Sequence, residues 1–160
     1  MVGCDLRKPK NTVGFDFVSD TGLSNYLIGI ASEKDIIQNS GAIPNLDIIL
    51  SGPKPPNPSE LIISPRMDEL IDYLKKHYDN IVLDTPPVGL ITDAMVLSKY
   101  TDINIYVVRQ GVTRRHHLAF INKLYTDGKI GNLCLILNAM KGSNQSYGYG
   151  YEYSYGYGYG

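Results

Sequence analysis

The sequence predicts an α/β fold organised around a parallel sheet. Three apolar runs, at 80–84, 103–108 and 133–137, show no polar alternation, which is typical of strands that are buried on both faces. Segments with helical spacing separate these runs, and strands that alternate with helices form a doubly wound layer. A length of 160 residues and a hydrophobic content of 43% fit one globular domain.

The first fifty residues predict two strands and two helices. Residues 1–5 read as the end of a buried strand, and we expect further sequence upstream because a domain rarely opens inside such a strand. Thr21 is a suitable N-cap for a helix over 22–30, and Ser32 begins a second, short helix. A further strand is predicted over 46–50.

The middle of the chain predicts further helices. A proline-rich loop over 54–58 leads into a helical turn over 59–63. Ser64 and Pro65 supply an N-cap and a first-turn proline for the next helix. One face of that helix is expected to pack on a core, because its apolar residues are spaced by three and four. Later helices are predicted over 92–100 and 113–125.

The composition changes abruptly after Gly142. Residues 143–160 are almost entirely Tyr, Gly, Ser and Asn, which predicts a flexible tail because glycine-rich chain costs much entropy to order. We therefore divide the chain into a domain over 1–142 and a tail over 143–160. Seven tyrosines of the tail follow at two-residue spacing: Tyr147, Tyr149, Tyr151, Tyr153, Tyr155, Tyr157 and Tyr159.

Charge and hydropathy argue against two features, a nucleic-acid-binding surface and a transmembrane helix. The net charge is -1 and the tail carries only Glu152, so neither part has the basic surface that nucleic-acid binding needs. The sequence has no apolar run of about 18 residues, the length expected of a transmembrane helix. Cys4 and Cys134 both lie in apolar runs, and we expect two reduced thiols in the core.

Two acidic residues stand where a parallel sheet usually binds its ligands. Asp5 and Asp84 each end a predicted strand, and ligands of such sheets lie beyond the carboxyl ends of the strands. Carboxylates there can hold Mg²⁺, usually through water, and Mg²⁺ neutralises nucleotide phosphates. Arg7 and Lys8 follow Asp5 and could meet phosphate charge. The alternative for either acid alone is a turn or a cap.

The combination of these stretches resembles the bacterial tyrosine kinases, or BY-kinases. Residues 4–9 (Cys-Asp-Leu-Arg-Lys-Pro) look like the Walker A-prime motif, and 81–87 (Ile-Val-Leu-Asp-Thr-Pro-Pro) look like Walker B. Residues 55–61 (Pro-Pro-Asn-Pro-Ser-Glu-Leu) resemble a loop-helix signature of the same family. Residues 92–94 and 107–109 fit its later pattern, and the tyrosine tail fits its substrate segment.

The resemblance implies a three-layer α/β/α fold of the P-loop NTPase type, incomplete at its N-terminus. Asp5 and Asp84 would organise Mg²⁺ around the β- and γ-phosphates of ATP, and Arg7 would support the charged site. Asn138 would sit near the adenine, and Arg109 is a second candidate for that pocket. The activity implied is an ATP-dependent tyrosine kinase that phosphorylates the tail of a neighbouring subunit.

The same resemblance implies partners and a location. Members of the family regulate the assembly and export of capsule or exopolysaccharide from the cytoplasmic face of the bacterial inner membrane. The expected partners are copies of this chain in a ring-like oligomer and a membrane-embedded activator with the export machinery, and no nucleic acid.

Two departures from the family pattern affect the expected chemistry. Gly3 stands where the family's D-x-D motif has its first Asp, a candidate base for the attacking tyrosine, so Asp5 would have to serve both roles. The pattern G-x-x-x-x-G-K-[ST] is absent, and the Gly128–Lys129 pair does not fit it. We expect this phosphate-binding loop upstream of Met1, and we expect the chain alone to bind ATP poorly.

Two other functions stay open. A partitioning-type P-loop ATPase has a similar fold, but its nucleophile is water and a tyrosine tail has no role there. A non-catalytic assembly module could dock partners and present its tyrosines to another kinase, as the missing loop and Gly3 allow. An intact Walker A motif upstream in frame would favour the enzyme, whereas a natural start at Met1 would favour the docking module.

Overall fold

A computed structural model describes residues 1–7, 20–86 and 93–141. In the first part of the chain, β1 spans Val2–Gly3, α1 Leu23–Leu27, α2 Glu33–Ile36, β2 Ile37–Asn39, β3 Asp47–Ile49, α3 Pro58–Ile62, α4 Pro65–His77 and β4 Leu83–Asp84. In the second part, α5 spans Asp93–Leu97, a 3₁₀ turn Ser98–Tyr100, β5 Asn104–Arg109, α6 Arg115–Thr126 and β6 Leu133–Asn138.

The strands form two sheets in the described residues. The larger sheet has the order β2-β3-β1-β4, in which β1 runs parallel to both β3 and β4. The smaller sheet pairs β5 with β6 in parallel, with Asn104 opposite Leu133 and Arg109 opposite Asn138. The predicted α/β fold with parallel strands is therefore confirmed.

An antiparallel edge strand was not predicted. β2 follows α2 directly and pairs antiparallel with β3, with Ile37 opposite Ile49 and Asn39 opposite Asp47. Its burial is only partial, which suits an edge position. A three-residue strand carries too short a pattern to be recognised in the sequence.

The main core lies between the larger sheet and its helices. The predicted apolar face of α4 is confirmed, since Met67, Leu70, Ile71 and Leu74 are all buried. They share one cluster with β1, α1 and α3. The thiol of Cys4 lies in this cluster, as predicted.

The start and end of α1 differ from the prediction. The N-cap is Gly22 rather than Thr21, because the N–H groups of Leu23 and Ser24 donate to the carbonyls of Leu50 and Ser51. A Cβ on Gly22 would overlap the Leu50 carbonyl, so this close approach requires glycine. The helix ends at Leu27 rather than at residue 30.

The prediction that the three apolar runs are buried on both faces is wrong, and it fails in the first run because Val82 is 59% exposed. Burial alternates along β5, and Ile105 and Val107 on its outward face are 59% and 54% exposed. The opposite face packs against α6, where Ile121 and Leu124 form a small second cluster. In the described part of the chain, β6 is exposed on both faces beyond Leu133, which alone of its residues packs against that cluster. Cys134 lies on the outward face and is exposed, so its predicted place in the core is also wrong.

None of the helices in the three described ranges combines the length and the apolar character that crossing a membrane requires.

Candidate nucleotide and metal site

Asp5 and Asp84 lie at the same edge of the larger sheet. β1 and β4 are parallel neighbours, and Gly3 pairs with Asp84 in register. The N–H of Cys4 donates to the carbonyl of Asp84 over 2.8 Å, which carries the pairing one residue beyond β1. Asp5 follows at once and is half-buried, whereas Asp84 is exposed. The structure therefore brings both acids to the carboxyl ends of adjacent strands.

The thiol between these two acids belongs to the core. Burial, and to a lesser extent the nearby charge of Asp84, raise the pKa of Cys4 to about 12. The sulfur lies 3.7 Å from the carbonyl oxygen of Val2. A thiol with so high a pKa is protonated at neutral pH and is a poor nucleophile. Any chemistry at this edge would therefore depend on the oxygen and nitrogen groups around Cys4.

Arg7 is tied to Asp5 and to a distant serine. Its backbone N–H donates to Oδ1 of Asp5 over 3.1 Å. Its Nη2 donates to Oγ of Ser59 over 2.6 Å. Sequence reasoning marked the segment around Ser59 as a family signature but gave that residue no role, because a contact across 52 positions leaves no local pattern.

The position of Gly3 is closely packed. A Cβ built on Gly3 would lie 2.9 Å from Oγ of Ser51 and 3.2 Å from the backbone nitrogen of Ser51. The nearer atom ends a flexible side chain and can move aside. A larger residue at position 3 would thus have to displace the Ser51 hydroxyl at the carboxyl end of β3.

The oxygen donors at this edge fit Mg²⁺. Mg²⁺ is a hard cation that proteins hold through one or two carboxylates, with water and substrate phosphates completing the octahedron. Asp5 and Asp84 supply two carboxylates on neighbouring strands. In the described ranges, no group of three or more His, Cys, Asp or Glu side chains is arranged so that it could hold a metal ion. This donor set suits a metal shared with a nucleotide better than a metal enclosed by protein.

Arg109 and Asn138 form a second pair. They end β5 and β6 opposite each other in register, and both are exposed. Oδ1 of Asn138 accepts from the N–H of Ala139 over 2.7 Å. The N–H of Arg109 donates to Oγ1 of Thr113 over 2.8 Å. In the described residues, this pair and the Asp5–Asp84 pair belong to different sheets.

The remaining predicted site residues are the tail tyrosines. Tyr147, Tyr149, Tyr151, Tyr153, Tyr155, Tyr157 and Tyr159 lie outside the described residues, and so does Lys8. Their predicted role as phosphate acceptors stays a prediction.

Comparison with known proteins connects these motifs to one family. No protein-family model matches the chain. The tyrosine-protein kinase YwqD of Bacillus subtilis is 34% identical over 146 residues, which are 91% of this chain and 61% of YwqD. The chain therefore spans about three-fifths of the length of that relative.

Solved structures agree with the sequence relatives. The kinase domain of the Escherichia coli tyrosine kinase ETK superposes with a TM-score of 0.81 at 31% identity, over 95% of this chain and 60% of that one. The VpsO kinase domain gives a TM-score of 0.77 at 33% identity, over 88% of this chain and 69% of that one. The fold, the strand ends that carry the two motifs and the similar proteins all indicate the same family. The chain belongs to the family of bacterial tyrosine kinases.

Proposed function

We propose that this chain is part of the catalytic domain of a Mg²⁺- and ATP-dependent protein-tyrosine kinase. The observation that carries the proposal is the placement of Asp5 and Asp84 at adjacent carboxyl strand ends in a chain of this family. Such an edge is where parallel α/β sheets bind nucleotides.

The charge of each residue in the site would determine its role. Asp5 and Asp84 would hold Mg²⁺, directly or through water, and Mg²⁺ would neutralise charge on the β- and γ-phosphates. Arg7, beside Asp5, would add positive charge to the same region. Asn138 would face the adenine, and Arg109 lies next to it. Phosphoryl transfer depends mainly on such positioning and charge neutralisation.

The phosphate acceptors would be the tail tyrosines of a neighbouring copy. Each phosphotyrosine adds roughly 1.5 to 2 negative charges, so seven would add roughly 10 to 14. The unmodified tail carries only one acidic residue. Repulsion between phosphorylated tails would then loosen a ring-like oligomer, which would couple the kinase to the assembly and export of capsule or exopolysaccharide. The expected place of action is the cytoplasmic face of the inner membrane, beside a membrane-embedded activator.

The chain by itself is expected to bind ATP weakly. Binding of the phosphates in P-loop proteins needs a glycine-rich loop and its lysine, and this sequence contains no such motif. The match leaves about two-fifths of the relative YwqD uncovered. Activity should therefore be assayed with the full in-frame product of the gene.

One alternative is a non-catalytic module of the same system, which would present its tyrosines to another kinase. Gly3 favours it, because the position offers no carboxylate as a base for tyrosine. Intact-mass spectrometry after incubation with Mg²⁺ and ATP separates the two functions. The proposal expects successive phosphates on the gene product, mapped to the tail and absent in Asp84→Asn. The alternative expects phosphates only when a separate active kinase is added, and that result would refute the catalytic roles of Asp5 and Asp84.

A further inference from the structure

Ser51 lies against the face of β1 that is opposite to the main core. Its hydroxyl oxygen is 2.9 Å from the point where a Cβ of Gly3 would stand. Val2 and Cys4 are buried in the main core, whereas Gly3 and Asp5 are half-buried. Successive side chains of a strand point to opposite faces, so positions 3 and 5 share the face away from that core. The Ser51 hydroxyl therefore lies over the same face as position 5.

The strand order places Ser51 and Asp84 on opposite sides of Gly3. In the larger sheet β1 lies between β3 and β4, and Gly3 pairs in register with Asp84 of β4. Ser51 follows β3, on the other side. Neighbouring strands are about 4.8 Å apart, so the Ser51 hydroxyl lies within about two strand spacings of the Asp84 backbone. A metal and phosphate groups held over β1 and β4 would leave the β3 side of this edge for a second substrate.

Hydrogen bonds hold the backbone on which the Ser51 hydroxyl stands. The carbonyl of Ser51 accepts from the N–H of Ser24 over 3.0 Å, and the carbonyl of Leu50 accepts from the N–H of Leu23 over 2.7 Å. Gly52 follows with a φ angle of 74°, and a Cβ there would lie 2.5 Å from Oγ of Ser24. A side chain would be strained in that conformation. The turn after β3 is therefore fixed on both sides of Ser51.

The hydroxyl of Ser51 is available for a ligand. It is half-buried, and it makes no hydrogen bond to protein within the ranges that the structure describes. Polar groups at such positions usually have a partner, which can be water or a substrate group. A serine hydroxyl can accept a hydrogen bond, and the phenolic hydroxyl of tyrosine can donate one.

We propose that Oγ of Ser51 accepts a hydrogen bond from the hydroxyl of the acceptor tyrosine and thereby positions it beside the phosphate groups. This inference rests on the proposed function, which supplies the nucleotide and the tyrosine substrate. Ser51 orients the nucleophile and does not remove its proton. Gly3 belongs to the same arrangement, because a side chain there would displace the Ser51 hydroxyl.

The test compares tyrosine with phenylalanine in the ligand. The protein is the full gene product with its seven tail tyrosines replaced by Phe. The ligands are two synthetic peptides of residues 143–160, one natural and one with Phe at every Tyr position. Calorimetry measures the affinity of each peptide in the presence of Mg²⁺–ADP. One neutral hydrogen bond changes an equilibrium by roughly 2- to 12-fold, so Ser51→Ala should lower the ratio of Tyr-peptide to Phe-peptide affinity by about that factor.

Three further variants separate the hydrogen bond from packing. Ser51→Cys nearly keeps the shape but carries a weakly hydrogen-bonding thiol, so it should lower the ratio as Ser51→Ala does. Gly3→Ala should also lower the ratio, and it should have no further effect in a Ser51→Ala background. Ser98→Ala is the matched control and should leave the ratio unchanged, because the Ser98 hydroxyl donates to the Met95 carbonyl over 2.6 Å within its own turn.

Two results would overturn the role of Ser51 and leave the kinase intact. In the first, the wild-type gene product phosphorylates its tail, but the ratio of peptide affinities is the same in Ser51→Ala. In the second, Ser51→Ala weakens Mg²⁺–ADP binding with the ratio unchanged, which would assign the hydroxyl to the hydrated metal. If the wild-type gene product neither phosphorylates its tail nor binds the natural peptide, the proposed function fails and the role of Ser51 fails with it.

Discussion

The N–H of Cys4 donates to the carbonyl oxygen of Asp84 over 2.8 Å, and this bond links the two acidic strand ends. It continues the register in which Gly3 lies beside Asp84, so Asp5 emerges from the sheet next to the second acid. The buried side chain of Cys4 anchors the chain between them. Main-chain pairing and core packing thus hold the backbone of the two strand ends that bear these acids.

The two thiols should differ strongly in reactivity. Cys4 is fully buried with its pKa raised to about 12, whereas Cys134 is exposed. Because the thiolate is the reactive form, we expect a thiol reagent at about pH 8 to label Cys134 quickly and Cys4 only after unfolding. Labelling followed by peptide mapping measures both rates. Equal labelling of both thiols in the native chain would contradict the packing of β1.

Stability should fall at alkaline pH. Burial, and then a hydrogen bond to Glu33, raise the pKa of Tyr26 from 10.0 to about 12. The folded state therefore keeps a proton that the unfolded state has lost, and its contribution is complete below about pH 10 and is lost as the pH rises towards 12.

Urea unfolding at a series of pH values measures this dependence. One such group contributes a slope of at most about 1.4 kcal/mol per pH unit. Tyr26→Phe should reduce the slope, whereas Tyr125→Phe should not, because Tyr125 is 53% exposed. The same slope in wild type and Tyr26→Phe would show that Tyr26 is not buried in the folded chain.

Helix α4 should account for much of the stability of the domain. Leu70 is fully buried on its inner face, and Asp72 is exposed on the same helix. Leu70→Ala should lower the free energy of unfolding by about 2–5 kcal/mol, since it removes apolar contacts and leaves a cavity. Asp72→Ala should change it by only about 0.5 kcal/mol. Urea denaturation compares the two, and a small effect of Leu70→Ala would place α4 outside the core.

An acid at position 3 should increase phosphoryl transfer. A carboxylate there would add a general base for tyrosine, an effect often worth roughly 10²-fold or more. Gly3→Asp must displace the hydroxyl of Ser51, which lies 2.9 Å from the new Cβ. We therefore expect faster phosphorylation of the tail together with a lower melting temperature.

The matched control for that change is Gly3→Asn, which has the same shape without the charge. Phosphorylation rates and melting temperatures of the two variants separate chemistry from packing. If Asp and Asn give equal rates, a carboxylate at position 3 does not act as a base and Asp5 serves alone.

The sequence predicts an element correctly where its apolar pattern is long enough to identify the buried face. The apolar spacing in α4 identifies its buried face correctly, because a 13-residue helix repeats its pattern several times. β4 shows the opposite case: residues 81–83 are apolar, yet only Leu83–Asp84 are a strand. Pairing depends on which neighbour is available, and a local pattern does not contain that information.

The sequence likewise predicts only part of the site, because a local pattern does not show which distant residues meet. Asp5 and Asp84 could be placed together because carboxyl ends of neighbouring parallel strands share an edge. The bond from Arg7 to Ser59 could not, because two residues 52 positions apart meet only after the fold is formed. The exposed face of β5 was also missed, since an apolar strand does not reveal how many of its faces are covered.

The central claim is transfer of phosphate to the tail of a neighbouring copy through the Asp5–Asp84 site. The most direct measurement mixes two versions of the full gene product with Mg²⁺ and ATP. The donor has every tail tyrosine from Tyr147 to Tyr159 replaced by Phe, and the acceptor carries Asp84→Asn with its tail intact. Mass spectrometry should find phosphates on the acceptor only when the donor is present. An acceptor that stays unmodified beside the donor, or one that gains phosphates without it, would contradict this account.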